Sequence, residues 1–187
     1  LEPDPSTLII DTETTGTNRD TDEIIEVCIQ FGFDTPEGLA PSRTWLVKPD
    51  KPIPEESSKI HGITDRDVEG APRFTQASQL FLEWCEQWKP FALGTWSDFD
   101  VTTLRDEHRR IGTAYPYPGH VLDVKSVVWW ECLRRGHFSR TMPVDRACSI
   151  LGIPHELPKH RALADALTEA KLFRHVALTR TEPLAIS

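Results

Sequence analysis

Asp11-Thr12-Glu13 closes the apolar run Thr7-Leu8-Ile9-Ile10 and leads into Thr14-Thr15-Gly16. A brief apolar run bounded by a turn signal reads as a strand covered on both faces. Residues i and i+2 of a strand point to one side, so Asp11 and Glu13 present two carboxylates together at the mouth of a sheet. Carboxylates that close repel each other unless a proton or a cation lies between them. A hard divalent cation such as Mg²⁺ resolves the repulsion, because it takes carboxylate oxygens and keeps open positions for water and phosphate.

Two further segments carry acidic groups in telling places. Gly94-Thr95-Trp96-Ser97-Asp98-Phe99-Asp100 follows a short apolar run and opens a helix. Asp98 or Asp100 would serve as an N-cap. Strand-to-helix junctions at the carboxyl ends of strands are also where α/β sheets place ligand groups, which gives Asp100 a second reading. In Lys159-His160-Arg161-Ala162-Leu163-Ala164-Asp165-Ala166, Asp165 stands among small residues on a helix whose apolar face is Leu163, Ala166, Leu167 and Ala170. A carboxylate on a tightly packed helix is costly unless paired or bound to metal. His160 lies at the start of that helix, where its ring can reach solvent and substrate.

The elements that must position these groups follow from periodicity. Strands are expected over 7–10, over 23–33, where Ile25, Val27, Ile29 and Phe31 alternate with polar residues, over 43–47, 91–94 and 121–122. Helices are expected over 74–88, with Ala77, Leu80, Phe81 and Trp84 on one face, and over 100–111, 124–134, 143–151 and 162–178. Trp129 and Trp130 read as core packing within one of them. Pro143 suits a first helical position and Gly152 a C-terminal cap. The stretch through Pro52 and Pro54 to the Ile60–Thr64 turn reads as irregular. Early strands with short connections predict a three-strand antiparallel meander; later strands alternating with helices predict parallel additions. The sum is an α/β fold with a mixed five-stranded sheet flanked by helices. Residues 7–178 read as one domain, with 1–6 as a linker or disordered end and 179–187 as a tail.

A chain of 187 residues with 39% hydrophobic and 27% charged content is long enough for one substantial core. No apolar run reaches a membrane span, and no basic-then-apolar secretion pattern opens the chain. Cys28, Cys85, Cys132 and Cys148 are widely spaced, as expected for buried free thiols in a reducing, cytoplasmic compartment. The net charge of −8 argues against a nucleic-acid partner until it is divided. Residues 1–100 carry −12 and residues 101–187 carry +4. The second half holds Arg105, Arg109, Arg110, Arg134, Arg135, Arg140, Arg146, Lys159 and Arg161, which read either as solvated helix faces or as a track for a phosphate backbone.

Taken in order, Asp-x-Glu on a first strand, an Asp opening a mid-chain helix, and His-x-x-x-x-Asp near the end resemble the DEDDh 3′→5′ exonuclease superfamily. That group includes proofreading subunits of replicative polymerases, RNase T and the Eri-type exoribonucleases. The resemblance covers roughly residues 7–178 and implies a ribonuclease H-like fold. It implies that Asp11, Glu13, Asp100 and Asp165 are carboxylates of a two-Mg²⁺ site that Mn²⁺ can also fill, and that His160 is the general base. In that scheme Asp11 bridges the ions, Glu13 and Asp165 complete one ion's site, and Asp100 acts directly or through a water. Thr14, Thr15 and Gly16 resemble the surface beside the 3′ end, and His61 in Ile60-His61-Gly62-Ile63-Thr64 a segment approaching the terminal nucleotide. Both segments read equally well as turns. Trp96 reads as a stacking platform for a base or as a core residue, and Arg161 as a substrate contact.

Thr95-Trp96-Ser97-Asp98 departs from the His-Asn pair that polymerase proofreaders often carry and is closer to the Eri-type pattern. The expectation is therefore hydrolysis of single-stranded nucleic acid from its 3′ end to nucleoside 5′-monophosphates, with RNA favoured. Three alternatives stand beside it. One is a DNA-directed 3′→5′ exonuclease that proofreads, repairs or trims within a larger assembly. Another is an RNase H-type endonuclease, whose acidic residues do not normally form Asp-x-Glu on the first strand. The last is a non-catalytic nucleic-acid-binding domain, which would be free to lose the five residues retained here.

Overall fold

The computed structural model describes residues 7–32, 42–117 and 120–178. The expected terminal linker and tail, and the end of the second strand at Phe33, lie outside the described residues. Five strands form one sheet in the order β3-β2-β1-β4-β5. They are β1 (Thr7–Thr14), β2 (Ile24–Phe31), β3 (Ser42–Leu46), β4 (Ala92–Thr95) and β5 (His120–Asp123). β1 pairs antiparallel with β2, and β2 with β3; β1 pairs parallel with β4, and β4 with β5. The meander with parallel additions is therefore present as the sequence predicts.

The helices are α1 (Glu55–His61), α2 (Asp65–Val68), α3 (Phe74–Trp88), α4 (Phe99–Arg110), α5 (Val124–Arg134), α6 (Val144–Leu151) and α7 (Ala162–Leu178). α1 and α2 replace the irregular stretch expected there. Pro54 stands at the N-cap of α1 rather than inside it, Glu55 and Glu56 occupy the first turn, and Gly62 ends it at φ 75°. Acidic first turns and left-handed glycine caps both favour a helix at this place.

Alternation on β1 divides the core. Leu8 and Ile10 face α3 and α4, packing with Val27, Phe81, Leu93, Val101 and Leu104. Ile9 faces α5, α6 and α7, packing with Val128, Met142, Ala147, Ala166, Ala170 and Leu172. Each fully buried aliphatic side chain here contributes about 1.5–3 kcal/mol. Gly94 makes the second face possible: a Cβ there would meet Ile9 Cδ1 at 2.5 Å and Val124 Cγ2 at 3.2 Å.

β2 departs from the half-solvated strand its alternation suggests, because all eight of its residues are buried. Helices cover both faces, so its polar positions Glu26 and Gln30 are enclosed as well. On the outer helices, Trp130 is 64% exposed rather than core, while Trp129 is half-buried. Leu163 also lies outside the packed face of α7. The four cysteines are free and buried, as expected. No helix among the described residues is long and apolar enough to cross a membrane.

Candidate active site

β1 runs past the end of its pairing with β4, which stops at Ile9↔Gly94, and carries Asp11 and Glu13 beyond it. Both were expected just after a strand; they lie within one, and the period-two alternation puts them on the α7 face. One carboxylate oxygen each from Asp11, Glu13 and Asp165 of α7 lie within 4.8 Å of one another. Burial pushes all three carboxyls up, and neighbouring carboxylate charges add to the rise at Asp11 and Glu13, whereas His155 and His160 oppose it at Asp165. Asp11 is raised well above the carboxylate range, Glu13 is raised to about 8, and Asp165 is raised. Three hard oxygen donors converging in this way could hold a divalent cation.

Asp100, in the first turn of α4, is held differently. Thr12 leaves the other face of β1, and its backbone N–H and Oγ1 donate to Asp100 Oδ1 at 3.0 and 2.8 Å. Thr95 Oγ1 at the end of β4 donates to Oδ2 at 2.7 Å. Burial raises the Asp100 carboxyl and these hydrogen bonds oppose the rise. The helix is capped by Asp98 backbone rather than by either carboxylate, so capping does not explain Asp100. Asp100 is thus fixed beside the three-carboxylate cluster and raises Asp11 and Glu13 by its charge.

His160 precedes α7 with φ 57° and is exposed at the rim. Its backbone N–H faces the Asp165 carboxylate and opposes the rise of that group's pKa. A second imidazole, His155, sits deeper. Its Nδ1 lies 2.8 Å from the Glu156 carbonyl, and its Nε2 lies 3.5 Å from Asp165 Oδ1 and 3.8 Å from Asp145 Oδ1. Lys159 Nζ closes this wall on both Asp145 oxygens at 2.7 and 2.8 Å. Together these groups line an open cleft of about 400 Å³, with Trp96, Ser97, Phe99, Pro143, Val144 and Glu169 completing its walls. A groove of similar size runs past Lys48, Asp50, Asp65, Arg66 and Glu69; it mixes both charges and lies away from the carboxylate cluster.

The sequence matches the family described as RNase_T exonuclease over residues 8–173. The chain belongs to this exonuclease family. The order of its acidic residues is that of the DEDDh group. Among curated relatives, an uncharacterized exonuclease of Escherichia phage 186 is 44% identical over 81 residues, covering 41% of this chain and 39% of that protein. A DNA polymerase III subunit epsilon-like protein of Rhodobacter capsulatus is 30% identical over 172 residues, covering 89% of this chain and 23% of its own. The epsilon subunit of Pasteurella multocida is 24% identical over 179 residues, 93% of this chain and 67% of that one. The chain thus spans well under half the length of the first two. Among solved structures, cell-death related nuclease 4 superposes with TM-score 0.76 at 21% identity, over 92% of this chain and 64% of that one. The nuclease domain of 3′hExo, a DEDDh family member bound to rAMP, gives 0.72 at 18% identity over 91% of both. These likenesses place the fold among ribonuclease H-like exonucleases.

Of the residues named from sequence, the cleft brings together Asp11, Glu13, Trp96, Asp100, His160 and Asp165. It leaves out Thr14, Thr15, Gly16, His61 and Arg161. Thr14 Oγ1 donates to the Gly16 carbonyl at 2.6 Å, and Thr15 Oγ1 bonds to Asp22 and to the Glu23 N–H. His61 is buried rather than presented to a nucleotide: Nδ1 accepts from the Ile63 N–H at 3.0 Å, and Nε2 faces the Thr14 carbonyl without a well-formed hydrogen bond. Burial lowers this imidazole's pKa. Arg161 is committed to Glu26 rather than offered to a phosphate. Trp96 is half-buried, with Nε1 donating to the Met142 carbonyl at 3.2 Å.

Sequence reasoning missed Thr12, Thr95, His155, Phe99 and Glu169. Glu169 is 2% exposed, one turn after Asp165 on α7. The Trp96 backbone N–H faces its carboxylate, and its Oε2 has no partner among the described residues. Burial, then Asp100 and Asp165, raises its carboxyl well above the ordinary range. The signal available in sequence was its i+4 spacing from Asp165, which places both on one helix face.

Proposed function

We propose that this protein is a divalent-metal-dependent exonuclease. It removes nucleotides one at a time from the 3′ end of single-stranded nucleic acid, within one domain over residues 7–178, and releases nucleoside 5′-monophosphates. The observation that carries the reading is the convergence of Asp11, Glu13 and Asp165 beside His160 at the mouth of one cleft. Asp11, Glu13 and Asp165, backed by Asp100, would hold two ions, Mg²⁺ with Mn²⁺ able to replace it. Bound divalent ions supply charge neutralisation, a more acidic water and stabilisation of the leaving oxygen.

The chain's own residues do the rest. A ring nitrogen of His160 takes the proton of the attacking water, a role that rim exposure permits. The His160 N–H faces Asp165, which sets that base beside the metal-holding carboxylate. Thr12 and Thr95 keep Asp100 from swinging away. Trp96 and Phe99 offer aromatic surface to the terminal base, and stacking of this kind is worth roughly 1–3 kcal/mol per base. Upstream phosphates need cations that the fold does not consume. Arg109, Arg110, Arg134, Arg135 and Lys159 are paired with carboxylates, whereas Arg140 and Arg146 make no ion pair among the described residues.

RNA is the favoured substrate, supported by the Trp96 segment and by likeness to a nuclease domain bound to rAMP. DNA is the second reading, supported by the curated relatives named as DNA polymerase III epsilon subunits, and it carries with it a place in a larger assembly. The test is a time course on 5′-labelled single-stranded RNA and DNA of matched sequence in Mg²⁺. A descending ladder with faster loss of RNA supports the first reading. Equal or faster loss of DNA supports the second. Shortening of the strand from its 5′-labelled end would overturn both.

A further inference from the structure

Directly across the strand pair from Glu13 stands a second buried glutamate that belongs to no metal set. Glu26 on β2 is the register partner of Glu13 and is 1% exposed. Its Oε1 accepts from Arg161 Nη2 at 2.6 Å. Its Oε2 accepts from Arg161 Nε at 3.2 Å and from the Ala162 backbone N–H at 2.9 Å. Ala162 opens α7. Its N–H is one of the four that a helix start leaves without an intrahelical partner. A strand carboxylate 136 positions away in sequence therefore caps the helix, and a negative charge at that end also suits the helix dipole.

Three groups of the cleft hang from this one contact. Glu13 lies opposite Glu26 on the neighbouring strand, His160 is joined directly to Arg161, and Asp165 is three residues into the helix whose first N–H is capped. We infer that the Glu26–Arg161 pair is a positioning device that registers the start of α7 against β1 and β2, so that Asp165 and His160 meet Asp11 and Glu13. The inference rests on the proposed exonuclease reading for its catalytic readout and on metal binding for an independent one. The fork geometry matters, because a guanidinium can bridge both carboxylate oxygens while an ammonium meets them as a point charge.

The test compares Glu26→Gln, Arg161→Lys and the double variant with wild type, each well below its melting temperature. Three quantities are read: the Mg²⁺ concentration giving half of the metal-induced melting shift, kcat, and KM on a 5′-labelled single strand. Partners one step behind metal ligands typically control affinity or activity by about 10–100-fold. Glu26→Gln is expected to raise the Mg²⁺ midpoint and lower kcat by about 10-fold or more, with KM near wild type. Arg161→Lys is expected to fall between wild type and Glu26→Gln, and the double variant to be no worse than Glu26→Gln. Two outcomes overturn the inference. One is a lowered melting temperature with kcat and Mg²⁺ midpoint at wild-type values, which makes the pair merely structural. The other is a raised KM in Arg161→Lys with none in Glu26→Gln, which makes Arg161 a phosphate contact. If Glu26→Gln does not fold, Arg161→Lys alone decides between these outcomes. If wild type degrades no nucleic acid, the exonuclease reading fails while the Mg²⁺ midpoints still judge the clamp.

Discussion

Glu13 and Glu26 sit opposite each other on β1 and β2, both on the face covered by α7, and the fold treats them in opposite ways. Glu26 is given a guanidinium and a helix N–H, which satisfy its charge from within the chain. Glu13 has no such partner among the described residues: burial, and then the charges of Asp165, Glu26 itself and Asp100, raise its carboxyl to about 8. Burying an unpaired charge is costly, and three together cost more. The fold accepts that cost on one strand and avoids it on the next. Asp100 belongs with Glu26 in this respect, since Thr12 and Thr95 hold both its oxygens. The difference separates carboxylates that shape the cleft from carboxylates kept ready for a cation.

The comparison breaks most sharply at Asp11. Asp11→Asn should abolish turnover while leaving the metal-free protein at least as stable as wild type, because it removes a repulsive charge. A kinetic assay together with a melting curve checks both halves, and a near-normal rate would remove Asp11 from the metal set. Next comes the base. His160→Ala should slow hydrolysis by about 10²–10⁴-fold, and His155→Ala by less. The reverse order of the two rates would transfer the role to His155, whose Nε2 already faces Asp165.

A smaller effect tests the held carboxylate. Thr95→Val removes one of the three donors to Asp100 and should lower kcat by about 10-fold, in line with losses of supporting hydrogen bonds at metal sites. Unchanged kcat would show that Thr12 alone fixes Asp100. The smallest effect is on stability against pH. Carboxyls raised in the folded state favour folding below their ordinary range, near pH 4, and that contribution is lost as pH rises through the folded values, about 8 for Glu13. Mg²⁺ should offset this loss, so the melting shift it produces should grow from pH 5 to pH 8. A shift independent of pH would mean that the cluster is not where Mg²⁺ binds.

Much of this arrangement was legible in the sequence because it is written in local pattern. Leu8 to Ile10 announce a covered strand, Asp11 and Glu13 continue its period, and the helical face around Ala166 and Ala170 carries Asp165. What was hidden depends on packing between distant segments. Pro52 and Pro54 looked like breakers, yet Pro54 only precedes α1. Glu26 in β2 and Glu169 in α7 carry no local sign of their surroundings. Both are enclosed because helices cover the second face of the sheet. Thr12 stands between two acids in the sequence, and its side chain on the opposite face holds a third, Asp100, 88 positions away. Arg161 looked free for phosphate because nothing local names its partner, which lies on another strand.

The most direct measurement is the ladder of products from a 5′-labelled single strand, run with Mg²⁺, with EDTA, with EDTA followed by excess Mg²⁺, and with Asp11→Asn. The account predicts stepwise shortening from the 3′ end with Mg²⁺, none with EDTA, recovery when Mg²⁺ is returned, and none with Asp11→Asn. Shortening that survives exhaustive chelation, or that persists in Asp11→Asn, would contradict it.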